Sequence, residues 1–410
     1  MREVERHVVE IDERLALERE RRLRAARRVV IKVGTSTVTG PDGGFSIERV
    51  EPIARSISEL MKAGRQVVLV SSGAVGLGRG CLGLHPSRLR ELATKQACAA
   101  VGQSLLMASY RQLFSMWGIG VAQVLLTEED FANWRRYANL KRTIEKVLGF
   151  GVLPIVNEND TVSTAELESV DPGTRVIAFS DNDRLAALVM SGLDADALVL
   201  LTNVDGLHRE NPHGKSARSG KSEGFGVIPV VSELTRELRA LGAGPSSGGR
   251  GGMRTKIESA EIAMQCGGIA VIANAQHPET VTRIFSGEAI GTTFVSATRM
   301  RGKRRWIAFA ASVQGRIVVD AGACRAVTEA KASLLVSGVV RIESPFETKD
   351  VVSLVDCEGH EFARGIARCA SREVGSTGKK RSSGFARVRT STTGHVLVSR
   401  DDIVMLGEER

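Results

Sequence analysis

Short apolar runs alternate with amphipathic helical segments over most of this 410-residue chain, and this alternation is the strongest constraint on its fold. Strands joined by helices form βαβ units, which place parallel strands in one sheet with helices on both faces. We therefore predict an α/β domain with three αβα layers and a mainly parallel central sheet, ending near Thr293. The predicted strands are 29–33, 66–70, 121–126, 152–156, 197–201 and 269–273, and the main predicted helices are 47–61, 89–116, 133–148, 184–190 and 253–266.

The pattern changes after residue 298. Residues 300–305 contain three arginines and one lysine, which is typical of a linker. Short apolar runs at 317–319, 334–336, 339–342, 351–355 and 396–398 follow, and glycine and polar turns separate them, which favours a small β-rich domain. We predict a charged N-terminal extension 1–28, an α/β domain 29–298, a basic linker 299–313, a β-rich domain 314–400 and a C-terminal tail 401–410.

Composition limits where the chain works and what it binds. The net charge of +9 permits anionic partners such as nucleotides or RNA without choosing between them. The six cysteines form no C-x-x-C pair, which argues against a disulfide framework and a structural metal site and favours a reducing compartment. No run approaches the ~18 consecutive apolar residues that span a bilayer. We therefore predict a cytoplasmic protein with no membrane partner.

The first 28 residues are charged throughout and too acidic for a transit peptide. Their apolar and charged residues favour a solvated helical extension. The alternatives are an oligomer contact or an arm that binds a polyanion. In none of these cases does the segment carry catalytic residues.

Two polar clusters mark the candidate site. The first cluster, Asn157, Glu158, Asn159 and Asp160, follows the strand 152–156, and the second, Asp181, Asn182 and Asp183, opens a helix. Carboxylates and carboxamides in these places suit a small polar ligand in the crevice outside the carboxyl ends of a parallel sheet.

Three glycine-rich loops could bind phosphate, although a glycine after a strand is more often only a turn. They are 32–36 (KVGTS), 71–74 (SSGA) and 248–256 (GGRGGMRTK), whereas the chain has neither a P-loop nor a dinucleotide-binding fingerprint. Backbone N–H groups of such loops can approach an anion closely. Lys32 and Lys256 add the positive charge that phosphoryl transfer requires.

Six short motifs occur in order along the α/β domain. They are K-V-G-T-S (32–36), S-S-G-A (71–74), K-Q-A-C-A-A-V-G-Q (95–103), N-E-N-D (157–160), S-D-N-D (180–183) and G-G-M-R-T-K (251–256). Together they resemble the glutamate 5-kinases of the amino acid kinase family over residues 29–294, and several motifs in order are much more specific than one. The chain from about residue 314 resembles the PUA domain, a small β-barrel-like fold.

The resemblance implies transfer of the γ-phosphoryl group of ATP to the side-chain carboxylate of L-glutamate. The product is L-glutamyl 5-phosphate, the first intermediate of proline biosynthesis, and Mg²⁺ would travel with the nucleotide. By resemblance, Ser72, Asp160 and Asn182 bind glutamate, and Lys32, Lys256 and Asp183 serve catalysis. The ATP-binding residues implied are Lys32, Thr202, Asn203, Arg250, Gly251, Gly252, Met253, Arg254, Thr255 and Lys256.

The residue types agree with an amino acid substrate. The carboxylate of Asp160 suits an α-ammonium group, and Asn182 and the Ser72 hydroxyl can donate to carboxylate oxygens. The attacking carboxylate is already ionised at neutral pH, so no general base is needed. Asp183 could orient a catalytic lysine, or alternatively cap its helix.

Two positions depart from the family pattern. Asn203 stands where the family usually has aspartate, and His208 stands where it usually has tyrosine, which affects the expected contacts to the base and ribose. The resemblance also implies feedback inhibition by proline. The pathway and the reactivity of the mixed anhydride product lead us to expect handover to glutamyl phosphate reductase, and we also expect a homo-oligomer. RNA binding by the basic residues of the PUA-like domain and a merely solvated basic surface are equal alternatives.

Two other functions remain open from the sequence. A sister kinase acting on aspartate, acetylglutamate or carbamate would share the same sheet and glycine loops. An RNA-binding regulator with a vestigial kinase fold would keep the C-terminal domain as its working part.

Overall fold

The computed structural model describes residues 2–162, 182–209, 226–242, 252–277, 279–295, 302–311, 313–374 and 395–406. The chain divides into two compact units. Unit 1 comprises residues 1–130 and 137–300, and unit 2 comprises residues 131–136 and 301–410.

Unit 1 is built on an eight-stranded sheet in the order β3-β4-β2-β1-β5-β7-β8-β6. All neighbouring strands pair in parallel except β7 and β8, which are antiparallel, so the predicted mainly parallel sheet is confirmed. The strands are β1 (Arg28–Val33), β2 (Gln66–Ser71), β3 (Val121–Leu126), β4 (Leu153–Glu158), β5 (Ala197–Thr202), β6 (Val230–Val231), β7 (Ile269–Asn274) and β8 (Thr292–Val295).

Helices cover the sheet because its central strands are apolar on both faces. Val29 and Ile31 of β1 belong to one buried cluster with Ile57 and Leu106 of two helices, whereas Val30 is equally buried on the other face. The α-helices of unit 1 are Arg2–Ala25, Thr35–Val38, Ile47–Lys62, Ala74–Cys81, Leu92–Ser115, Asn182–Leu193, Arg236–Leu241, Met253–Gln265 and Thr280–Phe285, with a 3₁₀ turn at Pro86–Arg90. The helices Glu128–Ala132 and Trp134–Gly149 each have residues in both units.

The N-terminal helix Arg2–Ala25 does not lie wholly in solvent, so the expectation of a solvated extension is wrong for its last turns. Leu23 is 1% exposed within the core of unit 1. Buried Arg19 donates to the carbonyl of Gly287 at 2.9 Å, and Arg65 donates to the carbonyl of Leu23 at 3.2 Å. Apolar burial and main-chain acceptors therefore dock the end of this helix.

Unit 2 contains a six-stranded sheet in the order β10-β14-β13-β12-β9-β11. Only β9 and β12 pair in parallel, and Ile317, Leu354 and Leu397 lie in its core. The strands are β9 (Val313–Val319), β10 (Leu334–Leu335), β11 (Val339–Ser344), β12 (Val351–Val355), β13 (Glu361–Ala367) and β14 (Val396–Met405), with α-helices Lys303–Arg305, Ala321–Thr328 and Ser371–Val374, a π-helix Trp306–Ala310 and a 3₁₀ turn Val336–Gly338.

Two segments predicted to be a linker and a tail are parts of unit 2. Trp306 is 4% exposed, and its indole N–H donates to the carbonyl of Phe131 at 2.8 Å. The ring of Trp134 lies 5.3 Å from that of Trp306. β14 continues to Met405, five residues into the predicted tail 401–410, because Ala363 and Gly365 of β13 pair with this extension.

The longest helices of the described chain carry too many charged or polar residues to cross a membrane.

Candidate active site

The polar segments predicted to bind ligand meet at the carboxyl ends of four adjacent strands of unit 1. In the sheet order β4-β2-β1-β5, β1 ends at Val33, β2 at Ser71, β4 at Glu158 and β5 at Thr202. Because these strands are parallel, their carboxyl ends form a single edge. This edge is the usual place for a ligand crevice in such a sheet.

A buried cluster of two lysines and one aspartate lies at this edge. Lys32 Nζ is 2.7 Å from Asp183 Oδ1, and Lys256 Nζ is 2.9 Å from Asp183 Oδ2. The side chains of Lys32, Lys256 and Asp183 are 8%, 9% and 0% exposed. The structure thus brings together the three residues predicted to serve catalysis, although they come from a strand and two different helices.

The electrostatic state of this cluster follows from its contacts. Burial by itself raises the pKa of Asp183, but the ammonium groups of Lys32 and Lys256 outweigh burial and lower the pKa to about 2. The carboxylate is therefore ionised at neutral pH. With both lysines protonated, the cluster carries one net positive charge in a desolvated place, which suits an anionic ligand.

Local structure explains how each lysine reaches the site. Lys32 is the fifth residue of β1. A Cβ added to Gly34, two residues later, would lie 3.7 Å from Lys32 Nζ. Lys256 lies in the first turn of the helix Met253–Gln265, whose N-cap Gly252 has an extended backbone. The unpaired N–H groups at such a helix start favour an anion.

Asn182 connects two of the strand ends. Its Nδ2 lies 3.0 Å from Ser71 O, 2.8 Å from Ser72 Oγ and 2.9 Å from Asn157 Oδ1. Asn157 Nδ2 in turn donates to Gln103 Oε1 at 3.0 Å. The predicted glutamate ligands Ser72 and Asn182 are therefore in direct contact.

Ser72 is placed by the turn that follows β2. Gly73 has φ +110, a left-handed conformation, and an added Cβ there would lie 3.0 Å from Val38. Glycine is the residue that adopts this conformation without strain. The turn directs the chain into the helix Ala74–Cys81 and leaves Ser72 at the sheet edge.

Asp160, the third predicted glutamate ligand, is half-buried in the turn that follows β4. The turn begins with a bond from Asn159 N to Leu126 O at 2.8 Å. Asp160 therefore lies at the same sheet edge as Ser72 and Asn182, and its contact with a substrate stays a prediction.

Of the residues predicted to bind ATP, Thr202 and Asn203 lie at the end of β5, on the opposite side of β1 from the ends of β2 and β4. Thr202 ends β5, and its hydroxyl lies 3.3 Å from Oδ1 of exposed Asn203. Thr255 donates to the carbonyl of Gly252 at 3.0 Å in the same helical turn that carries Met253. Arg250, Gly251 and Asp181 lie outside the described residues.

Arg254 lies in that same first turn but is largely exposed. It forms a surface ion pair with Glu258 at 2.9 Å, with side chains 76% and 49% exposed. Such an exposed pair contributes little to stability, so Arg254 can leave it at small cost. Its predicted role toward ATP is compatible with this position but is not tested by it.

Sequence reasoning placed Asn157 in the first polar cluster but missed its partner Gln103 and the contacts of Asp205, Asn274 and His277 at this edge. Asn157 and Gln103 lie inside two of the quoted motifs, which was the available signal, but their pairing joins segments 54 residues apart. Near Asn203, Asp205 Oδ1 accepts from Asn274 Nδ2 at 2.8 Å and lies 2.9 Å from His277 Nε2. These two contacts lower the pKa of Asp205.

Comparison with known proteins agrees with this architecture. The sequence profile of the amino acid kinase family matches residues 27–273, and that of the PUA domain matches residues 315–388. A glutamate 5-kinase of Moorella thermoacetica is 42% identical over 387 residues, covering 94% of this chain and 98% of that protein. Proteins of the same name from Myxococcus xanthus and Geobacter sp. strain M21 are 42% and 39% identical, covering 94% of this chain and 97% and 99% of theirs.

The family membership predicted from the order of motifs is thereby confirmed. The family profile covers the strands and helices that position the lysine cluster and Asn182. This chain belongs to the amino acid kinase family and carries a PUA domain after its kinase domain.

Proposed function

We propose that this chain transfers the γ-phosphoryl group of ATP to the side-chain carboxylate of L-glutamate, giving L-glutamyl 5-phosphate in the first step of proline biosynthesis. The observation that carries the proposal is the buried Lys32–Asp183–Lys256 cluster beside Ser72 and Asn182. Relatives with about two fifths of their residues identical over nearly the whole chain are named glutamate 5-kinases.

The two lysines address the main difficulty of this reaction, which is the repulsion between two anions. Each ammonium has three N–H donors, and within the described part of the chain Asp183 is the only ion-pair partner of either lysine. The remaining donors can bind oxygens of the moving phosphoryl group and of the attacking carboxylate. Because Asp183 holds both ammonium groups in place, little reorganisation is needed as charge moves.

Glutamate lies, in this proposal, at the ends of β2 and β4. Its ammonium group and carboxylates would contact Ser72, Asp160 and Asn182, all of which lie at the same edge as the lysines. Its side-chain carboxylate points towards Lys32 and Lys256, where phosphoryl transfer takes place. No side chain needs to act as a general base, since this carboxylate is ionised at neutral pH.

ATP lies on the side of β5 and of the helix Met253–Gln265 in this proposal. The start of that helix and Lys256 would bind its phosphates, and Thr202 and Asn203 would lie near the nucleoside. Mg²⁺ supplies charge neutralisation when bound to the phosphates. Both oxygens of Asp183 face ammonium groups, so this carboxylate is occupied by the two lysines, and we place the ion on the nucleotide.

The proposal extends to regulation and partners. Proline carries an ammonium and a carboxylate group as glutamate does, so it can compete for the same polar groups as a feedback inhibitor. The acyl phosphate is a reactive mixed anhydride, which favours handover to a glutamyl phosphate reductase. A homo-oligomer, a cytoplasmic location and RNA binding by the PUA domain complete the proposal.

The test is a hydroxylamine trap for the acyl phosphate. The wild-type protein with Mg²⁺, ATP and L-glutamate should give γ-glutamyl hydroxamate, and omission of ATP should abolish it. Aspartate, acetylglutamate and carbamate serve as competing acceptors, read out by ADP release. A higher kcat/KM with one of these acids, or no glutamate-dependent product, would overturn the proposal.

A further inference from the structure

Three side-chain amides form a continuous row of hydrogen bonds, the amide row, at the glutamate side of the site. Asn182 Nδ2 donates to Asn157 Oδ1 at 2.9 Å, and Asn157 Nδ2 donates to Gln103 Oε1 at 3.0 Å. Asn157 and Gln103 are 2% and 7% exposed, so the bond between these two residues is shielded from solvent. The Nε2 of Gln103 is buried and has no hydrogen-bond acceptor among the described residues.

A main-chain carbonyl fixes the donor-to-acceptor direction of the hydrogen bonds in the amide row. Asn182 Nδ2 lies 3.0 Å from Ser71 O, and a carbonyl can only accept, so Asn182 turns its hydrogens towards β2. Ser71 is itself held, because its hydroxyl lies 2.8 Å from the hydroxyl of buried Tyr110. The oxygen of Asn157 must then accept from Asn182, and the oxygen of Gln103 must accept from Asn157. This leaves Gln103 Nε2 as the terminal donor.

This direction determines what Asn182 and Ser72 can offer a substrate. Asn182 Nδ2 has two hydrogens and three protein acceptors within 3.0 Å, so it has none to spare for a ligand. Asn182 therefore cannot make the donation to a substrate carboxylate that the sequence suggests. Its Oδ1 is the side-chain atom that can still contact the substrate, and it can only accept. Ser72 Oγ accepts from Asn182, so its own O–H can donate to a ligand.

Close packing of two helices holds Gln103 in place. Gln103 follows Gly102 in the helix Leu92–Ser115, which crosses the helix Ala74–Cys81. A Cβ on Gly102 would lie 1.8 Å from the carbonyl oxygen of Ala74, so the two backbones are in direct contact. Gln103 is thus positioned by the same element that follows the Ser72 turn.

We propose that Gln103 is a positioning residue that sets the polarity of the glutamate site without touching the substrate. Its Oε1 keeps Asn157 turned so that Asn157 Oδ1 faces Asn182. Asn182 Oδ1 then accepts from the substrate ammonium, and the Ser72 hydroxyl donates to a substrate carboxylate. This inference rests on the proposed placement of glutamate.

The first variant removes the terminal acceptor. Gln103→Met keeps a similar volume but leaves Asn157 free to turn its amide towards Asn182, where two N–H groups would face each other. We expect KM for glutamate to rise about tenfold, as for the loss of one buried hydrogen bond, with kcat and KM for ATP changed less than about twofold. Gln112→Met makes the same substitution at an exposed position of the same helix and should change none of the three.

The second variant adds a pH readout that a purely structural role would not produce. In Gln103→Glu the neutral carboxylic acid can accept from Asn157 as glutamine does, and burial raises the pKa of this carboxyl group. As the pH rises through that pKa, a negative charge appears near an anionic substrate. The ratio of variant to wild-type KM for glutamate should therefore increase with pH.

The outcomes separate this inference from the proposed function. If the wild type makes no hydroxamate, the proposed function fails. If the wild type is active but both Gln103 variants keep the wild-type KM for glutamate at every pH, only the positioning role fails. Should Gln103→Met not fold, the pH dependence of Gln103→Glu decides alone, and a KM ratio independent of pH overturns the role.

Discussion

Replacing Asp183 with asparagine tests whether this buried carboxylate keeps both lysines charged. Asp183 is 0% exposed and lies 2.7 Å from Lys32 Nζ and 2.9 Å from Lys256 Nζ. Asparagine has nearly the same volume but no charge, so two ammonium groups would share a desolvated place. Because like charges and burial both disfavour the charged form, we expect the pKa of one lysine to fall far below its usual range.

The free energy involved can be worked out from the structure. The pKa of Asp183 is lowered from 3.8 to about 2, which corresponds to about 2 kcal/mol. A depressed pKa stabilises the folded state above the unfolded pKa, so this contribution is present above pH ~4 and is lost as the pH falls towards ~2. Removal of one partner from a buried ion pair costs more, and we expect Asp183→Asn to lower the free energy of unfolding by about 3–5 kcal/mol.

Urea unfolding and the pH dependence of hydroxamate formation measure these effects. At pH ~7 we expect kcat of Asp183→Asn to fall about 100-fold or more, as for loss of a preorganised electrostatic group. It should partly recover at lower pH, because a lysine with a depressed pKa regains its proton there. Asp196→Asn, at an exposed aspartate before β5, is the control. Wild-type stability and an unchanged pH profile in Asp183→Asn would refute this reasoning.

Three further predictions concern other parts of the chain. Lys32→Ala and Lys256→Ala should each lower kcat about 100-fold or more while changing KM for glutamate far less, and equal small losses in both constants would contradict their role. Gly102→Ala should lower the free energy of unfolding by about 1–3 kcal/mol and lower the urea midpoint, since its Cβ would lie 1.8 Å from Ala74 O. An unchanged midpoint would contradict the close contact between the two helices. Trp306→Phe removes the indole donor of the buried bond to the Phe131 carbonyl, so the free energy of unfolding should fall by about 1–3 kcal/mol and Tm with it, whereas an unaltered Tm would count against that bond.

The regular elements of unit 1 were predictable because their signal is local. The predicted strand 121–126 is β3 itself, and the predicted strand 269–273 differs from β7 by one residue. Apolar runs and helical periodicity determine such elements, and each needs only its own residues to be recognised. β6, β8 and β13 were missed. β6 and β8 have only two and four residues and give no clear period, and Glu361–Ala367 interrupts its apolar residues with arginine and glycine.

The sequence alone determined the family, the parallel sheet and most residues gathered at its edge, since parallel strands bring successive loops to one side. Only the tertiary structure decided which atoms face each other there. The bond from Asn157 to Gln103 spans 54 residues, and the ion pair of Lys32 with Asp183 joins a strand to a helix much farther along the chain. No local periodicity encodes such pairings, because they depend on which elements become neighbours when the apolar faces are buried.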